Sequence, residues 1–495
     1  MSNNNSAIVS KVWAFCQTLR DDGVGYGDYL EQLTYLLFLK MAHEYSLPPH
    51  NRKLNIPEEY NWESLLNKSG SELEGHYTLL LRELGQQKAV LGQIFTKSQN
   101  KIQDPAKLYK LIMMINAESW VMMGVKDKGD IYEGLLEKNA EDTKSGAGQY
   151  FTPRPLIQAM VECVQPKPMK TIADPACGTG GFFLAAYDWI EGQNQLDKEE
   201  REFLKYKTFR GNEIVASTRR LALMNLFLHN IGDIDSDNLI SPNDSLIADS
   251  GERFDYILAN PPFGKKSSMT FTNEAGEQEK DDLTYNRQDF WVTTSNKQLN
   301  FVQQIKTMLK TTGEAAVVLP DNVLFEGGVG ETVRKKLLET TNLHTILRLP
   351  TGIFYANGVK ANVLFFDGRP SSKDPWTKET WIYDYRTNIH HTLKKNPLKL
   401  EDLQDFIDCY KPGNIHKREE TYSDVNPDGR WRKFTYDEII ARDKTSLDIS
   451  WLKDKSLADL DNLPDPDVLA LEIVENIESG LESFKTIIAS LGKQN

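Results

Sequence analysis

From about residue 145 the chain alternates short apolar runs with stretches of helical period, and that rhythm leaves few architectures open. Strand candidates fall at residues 170–174, 207–213, 254–259 and 315–319, each separated from the next by a helix-like segment. Alternation of this kind predicts a mostly parallel sheet with helices on both faces. Ligands of such sheets bind at the carboxyl ends of the strands, where loops meet helix N-termini. A later pair of runs, residues 344–349 and 361–366, flanks a turn containing Gly352 and Gly358 and is expected to form an antiparallel edge.

Before this region, residues 6 to about 140 read as helical. Ile8, Val12, Phe15 and Leu19 recur at spacings of four and three, and Asp28 stands where it can cap a second helix through Tyr29, Leu33, Leu36, Leu37 and Met41. Core packing of a bundle accounts for these apolar positions. With 495 residues the chain exceeds the ~250–300 at which one core stops growing, so several units are expected. We divide it into a helical domain (1–140), a sheet domain (145–370), a poorly marked region (371–465) and an amphipathic C-terminal helix (466–495). That last helix either packs on its own domain or serves as a dock for another subunit. No apolar run approaches the ~20 residues of a membrane helix, and the polar start is not that of a signal peptide. Four scattered cysteines without a Cys-x-x-Cys point away from structural zinc and toward a reducing cytoplasm.

Charge sets a puzzle. The chain carries 58 Lys+Arg against 71 Asp+Glu, a net −13, whereas a domain that grips a polyanion alone is usually basic. Either the substrate is not nucleic acid, or a partner supplies most phosphate contacts.

Asp174-Pro-Ala-Cys-Gly-Thr-Gly-Gly181 follows the first strand and precedes a helix start at Phe182. Its glycines permit a tight turn with close backbone approach to a ligand. The turn lacks a strict GxGxxG, which disfavours a dinucleotide, and no Lys-Ser/Thr follows, which excludes a P-loop. Glu213 ends the second strand, where a carboxylate can accept both hydroxyl protons of a ribose. Asp244 falls where the third should end and can accept from an adenine amino group. Each acid alone reads as a cap or a solvated turn, but one nucleoside-bearing cofactor would use all three strand ends.

Asn260-Pro-Pro-Phe263 comes directly after the strand at 254–259. Its prolines remove two backbone donors, so carbonyls remain to face a ligand. An amide oxygen and a proline carbonyl can together accept from one amino group, as methylation of an exocyclic amine demands. Phe263 offers a flat face for an extruded planar group. The polar stretch from Phe263 to Asn296, with Lys265 and Lys266 near its start, reads as a substrate-facing loop.

The glycine turn with Asn260-Pro-Pro-Phe263 resembles S-adenosylmethionine-dependent amino-methyltransferases. Gly148-Gln-Tyr-Phe-Thr-Pro153, the stretch from Leu19 to Tyr29, Leu349-Pro-Thr-Gly-Ile-Phe354 and Ala361-Asn-Val-Leu-Phe-Phe366 narrow the likeness. Over residues 6 to 370 the chain is similar to the modification subunit of type I restriction–modification systems. The resemblance implies an α/β, Rossmann-like methyltransferase sheet, preceded by a helical N-terminal domain that clamps DNA and followed by a helical tail. It implies S-adenosylmethionine held by Gln149, Tyr150, Phe151, Thr152, Asp174, Ala176, Gly178, Gly180 and Gly181, with Glu213 on ribose and Asp244 on adenine. Asn260, Pro261, Pro262 and Phe263 would then hold and stack the target adenine. No metal is required, and His229, His344, His390 and His391 read as ordinary polar or packing residues. The implied partners are duplex DNA, a specificity subunit, a second copy of this chain and a restriction (nuclease/translocase) subunit. That answers the charge puzzle, because another subunit reads the DNA. From the residues alone, cytosine N4, an RNA base or a protein glutamine also suits the Asn-Pro-Pro-aromatic motif, and a non-catalytic scaffold that binds the cofactor is the rival from another class.

Overall fold

The computed structural model describes residues 14–15, 24–49, 51, 56–87, 89–121, 125–140, 151–193, 195–233, 239–264, 268–272, 278–282, 284–354, 358–393, 395–454 and isolated positions between 468 and 481. Gln149, Tyr150, Lys265 and Lys266 lie outside them, as does most of the first N-terminal helix expected from the sequence.

The N-terminal region is helical, with α1 (Tyr26–Ser46), α2 (Trp62–Leu66), α3 (Gly70–Leu84), α4 (Ala89–Phe95), α5 (Pro105–Asn116) and α6 (Val125–Ala140). Helix α1 is buried on nearly every side, Leu30, Leu33, Leu36 and Phe38 included, because the others surround it. Asp28 does not cap it. The helix starts three residues earlier than expected, at Tyr26 after Gly25, so Asp28 sits within the first turn and complements the helix dipole instead.

After α7 (Arg154–Val164) come β1 (Ile172–Asp174), α8 (Gly181–Gln193), α9 (Lys198–Tyr206), β2 (Phe209–Asn212), α10 (Ala216–Leu228), β3 (Ile240–Ser241) and β4 (Phe254–Ala259). A hairpin, β5 (Ser268–Thr272) with β6 (Gln278–Asp282), interrupts the long polar connection. The chain then runs through α11 (Lys297–Met308), β7 (Leu309–Pro320), α12 (Asn322–Phe325), α13 (Val329–Thr340), β8 (Thr341–Arg348), β9 (Ala361–Gly368), β10 (Glu379–Asp384), α14 (Gln404–Tyr410) and β11 (Trp431–Thr435). Nine strands form one sheet in the order β11-β10-β8-β9-β7-β4-β1-β2-β3. Only β9 and β11 run against the rest.

Two expectations need correcting. The pair at 344–349 and 361–366 is antiparallel but is not an edge, since β10 and β11 extend the sheet beyond it. A sheet domain ending at 370 would therefore cut through the sheet, because the described residues 371–454 supply its last two strands. Their signal was weak because β11 spans only five positions, Trp431–Thr435, of which Trp431 alone is buried.

The sheet is buried on both faces, as parallel sheets are. Along β7 the side chains divide by period two. Ala316 and Val318 join the core shared with the N-terminal helices, whereas Ala315, Val317 and Leu319 join the core under α11 and α13. Arg220 fastens the helical region to the sheet from α10. Its guanidinium donates to the Ile94 carbonyl at 2.5 Å, the Thr96 carbonyl at 2.7 Å and Glu31 at 2.6 Å, and stacks on Tyr35. Among the described residues no helix is long and apolar enough to cross a membrane.

Candidate active site

The strand order reverses at β1: the chain moves outward through β2 and β3, then returns to place β4 on the other side. A crevice opens at such a switch point, beyond the carboxyl ends of the strands. Here it is a cavity of about 390 Å³. Asp174 ends β1, Glu213 follows β2, Asp244 follows β3 and Asn260 follows β4, and all four line it.

The glycine turn folds as its residue types dictate. Gly178 and Gly180 take φ of +54° and +82°, a region closed to most side chains. The Gly180 N–H donates to the Cys177 carbonyl at 2.8 Å, and Gly181 begins α8. Gly211 on β2 also has to be glycine, since a Cβ there would lie 2.9 Å from both Cys177 Sγ and Phe183 Cε2.

Of the described residues assigned to a cofactor, Phe151, Thr152, Asp174, Ala176, Gly178, Gly181, Glu213 and Asp244 line the cavity; Gly180 does not. It shapes the turn instead, and a Cβ on it would face Leu226 of α10 at 3.6 Å. Asn260 and Pro262 also line the cavity, whereas Pro261 is buried outside it. Phe263 is half-buried and stands edge-on to Phe354, with ring centroids 5.5 Å apart. Sequence reasoning missed Glu133, Arg154, Ile214, Tyr285, Lys297 and Phe301. Ile214 was legible as the apolar neighbour of Glu213. Tyr285 comes from the aperiodic connection and Glu133 from the helical region, where nothing in the pattern marks them.

The acids are held by backbone donors. Asp174 Oδ1 accepts from the Ala176 N–H at 2.9 Å, and Glu213 Oε1 from the Val215 N–H at 2.7 Å. Asp244 accepts from the Leu246 N–H and the Tyr285 hydroxyl, each at 2.9 Å. Burial pushes the Asp174 carboxyl up to about 8; the Ala176 N–H opposes this, and nearby Glu213 adds to it. Glu213 is likewise raised by burial, against the pull of the Val215 and Gly178 N–H groups. A group raised in this way stabilises the fold fully below its ordinary value of 3.8, and that contribution is lost as pH rises through about 8.

On the other wall, Arg154 donates to the Gly181 carbonyl at 3.0 Å and pairs with Glu133 of α6. Asn260 Nδ2 donates to Thr152 Oγ1 at 2.9 Å, yet Asn260 Oδ1 is buried with no hydrogen-bond partner among the described residues. A buried acceptor left unpaired costs about 1–3 kcal/mol, so a donor brought to it by a ligand recovers that energy.

One cluster elsewhere is structural, and so are two separate histidines. Glu314, His344 and Asp367 bring ligand-type atoms within 4.8 Å of one another, but Tyr410 donates to Glu314, and Arg369 and Asn342 hold Asp367. Arg418 lies 3.5 Å from His344, so guanidinium groups already supply the positive charge a cation would bring. His229 donates to the Asn225 carbonyl, and His391 bridges Tyr385 and the Asn396 carbonyl.

A family model described as N-6 DNA Methylase matches residues 125–450, and one described as HsdM N-terminal domain matches residues 8–115. The Type I restriction enzyme EcoKI methylase subunit of Escherichia coli (strain K12) is 39% identical over 99% of this chain and 96% of its own. The StySJI methylase subunit of Salmonella typhimurium matches equally, at 39% over the same shares. Among solved structures, the EcoKI M protein aligns at 34% identity with a TM-score of 0.54, covering 98% of this chain and 96% of that one. A chain from a structure of a type I R-M system, 24% identical, shares the fold over 99% of both chains with a TM-score of 0.71.

Proposed function

Since the chain belongs to the methylase subunits of type I restriction enzymes, we propose that its cavity binds S-adenosylmethionine and that Asn260 presents an adenine amino group for methylation. It is a site-specific DNA methyltransferase acting on adenine N6, the modification subunit of a type I restriction–modification complex. Family membership sets aside cytosine N4, RNA and protein glutamine as acceptors, and a non-catalytic scaffold as well.

The residues present fit the cofactor. Three carboxylates at successive strand ends suit an amino group, a ribose and an adenine, with Ile214 and Phe301 as apolar lining between them. When bound, S-adenosylmethionine supplies a sulfonium-activated methyl group. The protein's work is orientation. Asp174 meets the cationic amino end, Glu213 accepts from ribose hydroxyls and Asp244, positioned by Tyr285, accepts from the adenine amine. Phe151, Thr152 and Ala176 complete the wall. Asn260 Oδ1 and the Pro261 carbonyl accept from N6, which localises the nitrogen lone pair and turns it toward the methyl group. Pro262 stiffens the loop, and Phe263, braced by Phe354, supplies a flat surface for the extruded base. The single observation that carries this reading is the unpaired, buried Asn260 Oδ1 in the cavity wall.

The test is methyl transfer from labelled cofactor to duplex DNA, with and without a co-expressed specificity subunit, followed by nucleoside analysis. Label in N6-methyladenine supports the reading; label in protein or RNA overturns the acceptor. Proton release gives a second check. Below pH 8 Asp174 is protonated in the free protein and must ionise to meet an ammonium, so binding expels a proton. Affinity then rises by up to about tenfold per pH unit toward pH 8 and levels off there. Calorimetry in buffers of different ionisation enthalpy reads the released proton, and Asp174→Asn abolishes it.

For assembly, we take residues 1–140 as the DNA clamp and the C-terminal helix as the dock for the specificity subunit. At its described positions Leu471, Ile473, Val474, Ile477 and Leu481 are helical, apolar and exposed, between 43 and 64%. Deleting residues 466–495 is expected to abolish co-purification with that subunit while cofactor binding persists. Duplex DNA, a second copy of this chain and a restriction subunit complete the proposed complex, working in the cytoplasm.

A further inference from the structure

We infer that Gln298 is a positioning residue for the Asn260-Pro261-Pro262-Phe263 loop, anchored through Asn322 and Asp321 to Arg386 in the last third of the chain. The inference rests on the methyltransferase reading of the site and deepens it.

Two prolines leave the target loop few donors of its own to fix it. The Phe263 carbonyl is instead held from outside, by the Nε2 of Gln298 on the first turn of α11. Gln298 is 1% exposed, so its amide has no water to satisfy it and both ends need protein partners. The other end is met as well: Asn322 Nδ2 donates to Gln298 Oε1 at 2.7 Å. This bond fixes the polarity of the amide. With its oxygen held by Asn322, only Nε2 can face Phe263, where a carbonyl requires a donor.

Asn322 is in turn placed by its neighbour. Asp321, just past the end of β7, takes a bidentate pair from Arg386 at 2.6 and 2.7 Å and a bond from Asn362 at 2.8 Å. The same guanidinium donates to the Leu349 carbonyl at 2.8 Å and the Ala361 carbonyl at 2.9 Å. Arg386 therefore ties the ends of β7 and β8 to the start of β9. It also reaches Phe263 by a second route, because Leu349 begins the segment that carries Phe354, the ring standing edge-on to Phe263. Backbone and ring of the target loop thus depend on one arginine beyond β10. Residues past 370 serve the site although none of them lines the cavity.

The discriminating substitution is Gln298→Met, which keeps the side chain's length and removes both polar ends. Three quantities are read on the full chain: single-turnover methyl transfer with the specificity subunit, cofactor affinity, and amide hydrogen exchange. We expect transfer to fall about 10–100-fold, the scale of a misplaced reacting group. Cofactor Kd should stay within about twofold. Exchange at the Asn260, Phe263 and Gly264 amides should quicken while the amides of residues 174–184 stay unchanged. Asn322→Asp is the second variant. A carboxylate there would draw Nε2 to itself and turn the amide oxygen on the Phe263 carbonyl, giving the same signature without removing a side chain. Unchanged exchange in the loop, or transfer within about twofold of the unsubstituted chain in both variants, overturns the inference. Should the unsubstituted chain methylate no adenine, the functional reading fails, and loop exchange alone still decides the role of Gln298.

Discussion

Asn260→Ala is expected to lower methyl transfer to DNA by at least about 10²–10³-fold while leaving cofactor affinity nearly intact. The asymmetry follows from where its two amide atoms point. Nδ2 is spent on Thr152, so its loss loosens one contact in the cavity wall. Oδ1 has no partner among the described residues, so its loss is felt when the target amine arrives. An interaction made chiefly in the transition state lowers kcat and kcat/KM together. Single-turnover transfer and calorimetric cofactor binding, measured on the same preparation, separate the two effects. Asn260→Asp is informative beside it, because a carboxylate keeps the acceptor and loses the donor to Thr152. Equal losses of transfer and cofactor affinity in Asn260→Ala would mean that the residue merely holds the wall together.

Arg220→Met should be the most destabilising single change outside the site, costing about 3–5 kcal/mol. The side chain is only 4% exposed and bonds two backbone carbonyls and Glu31 across the junction between the helical region and α10. Methionine fills much of the space but orphans both carbonyls and leaves Glu31 without its cation. The Glu31 carboxyl is already raised by burial, which outweighs the pull of Arg220. In the variant it should take up a proton at still higher pH, softening the loss in mild acid. Denaturant unfolding at pH 5.5 and 8 reads both effects, and a cost below about 1 kcal/mol at either pH would show that the junction does not depend on this clamp. Because α10 follows Glu213-Ile214-Val215, partial separation there should also weaken cofactor binding.

Legibility in the sequence tracked the range of the interactions. The strand at 254–259 and the glycine turn were readable because their determinants are local: a short, mostly apolar run, then residues needing positive φ. The acids at the strand ends were readable for the same reason, since a strand followed by a polar turn puts its last side chains at one edge. What stayed hidden came from far along the chain. Glu133, Tyr285 and Lys297 reach the cavity from segments with no periodicity that points there. Strands β10 and β11 looked unmarked because one is nearly continuous in burial and the other is short and buries only its first residue. Asp28 misled because an acid near a helix start suits both the cap and the first turn.

By itself the sequence determined the kind of sheet, the edge at which the cavity opens and the residue types that line it. These follow from backbone conformation and periodicity, which act over a few residues. Only the tertiary structure decided that Asn260 keeps an unpaired oxygen, that the Asp174 carboxyl loses its water and holds its proton to about pH 8, and that Arg386 braces a loop more than a hundred residues away. Desolvation and hydrogen-bond pairing are properties of the packed interior, and they exist only once distant segments have closed around one another.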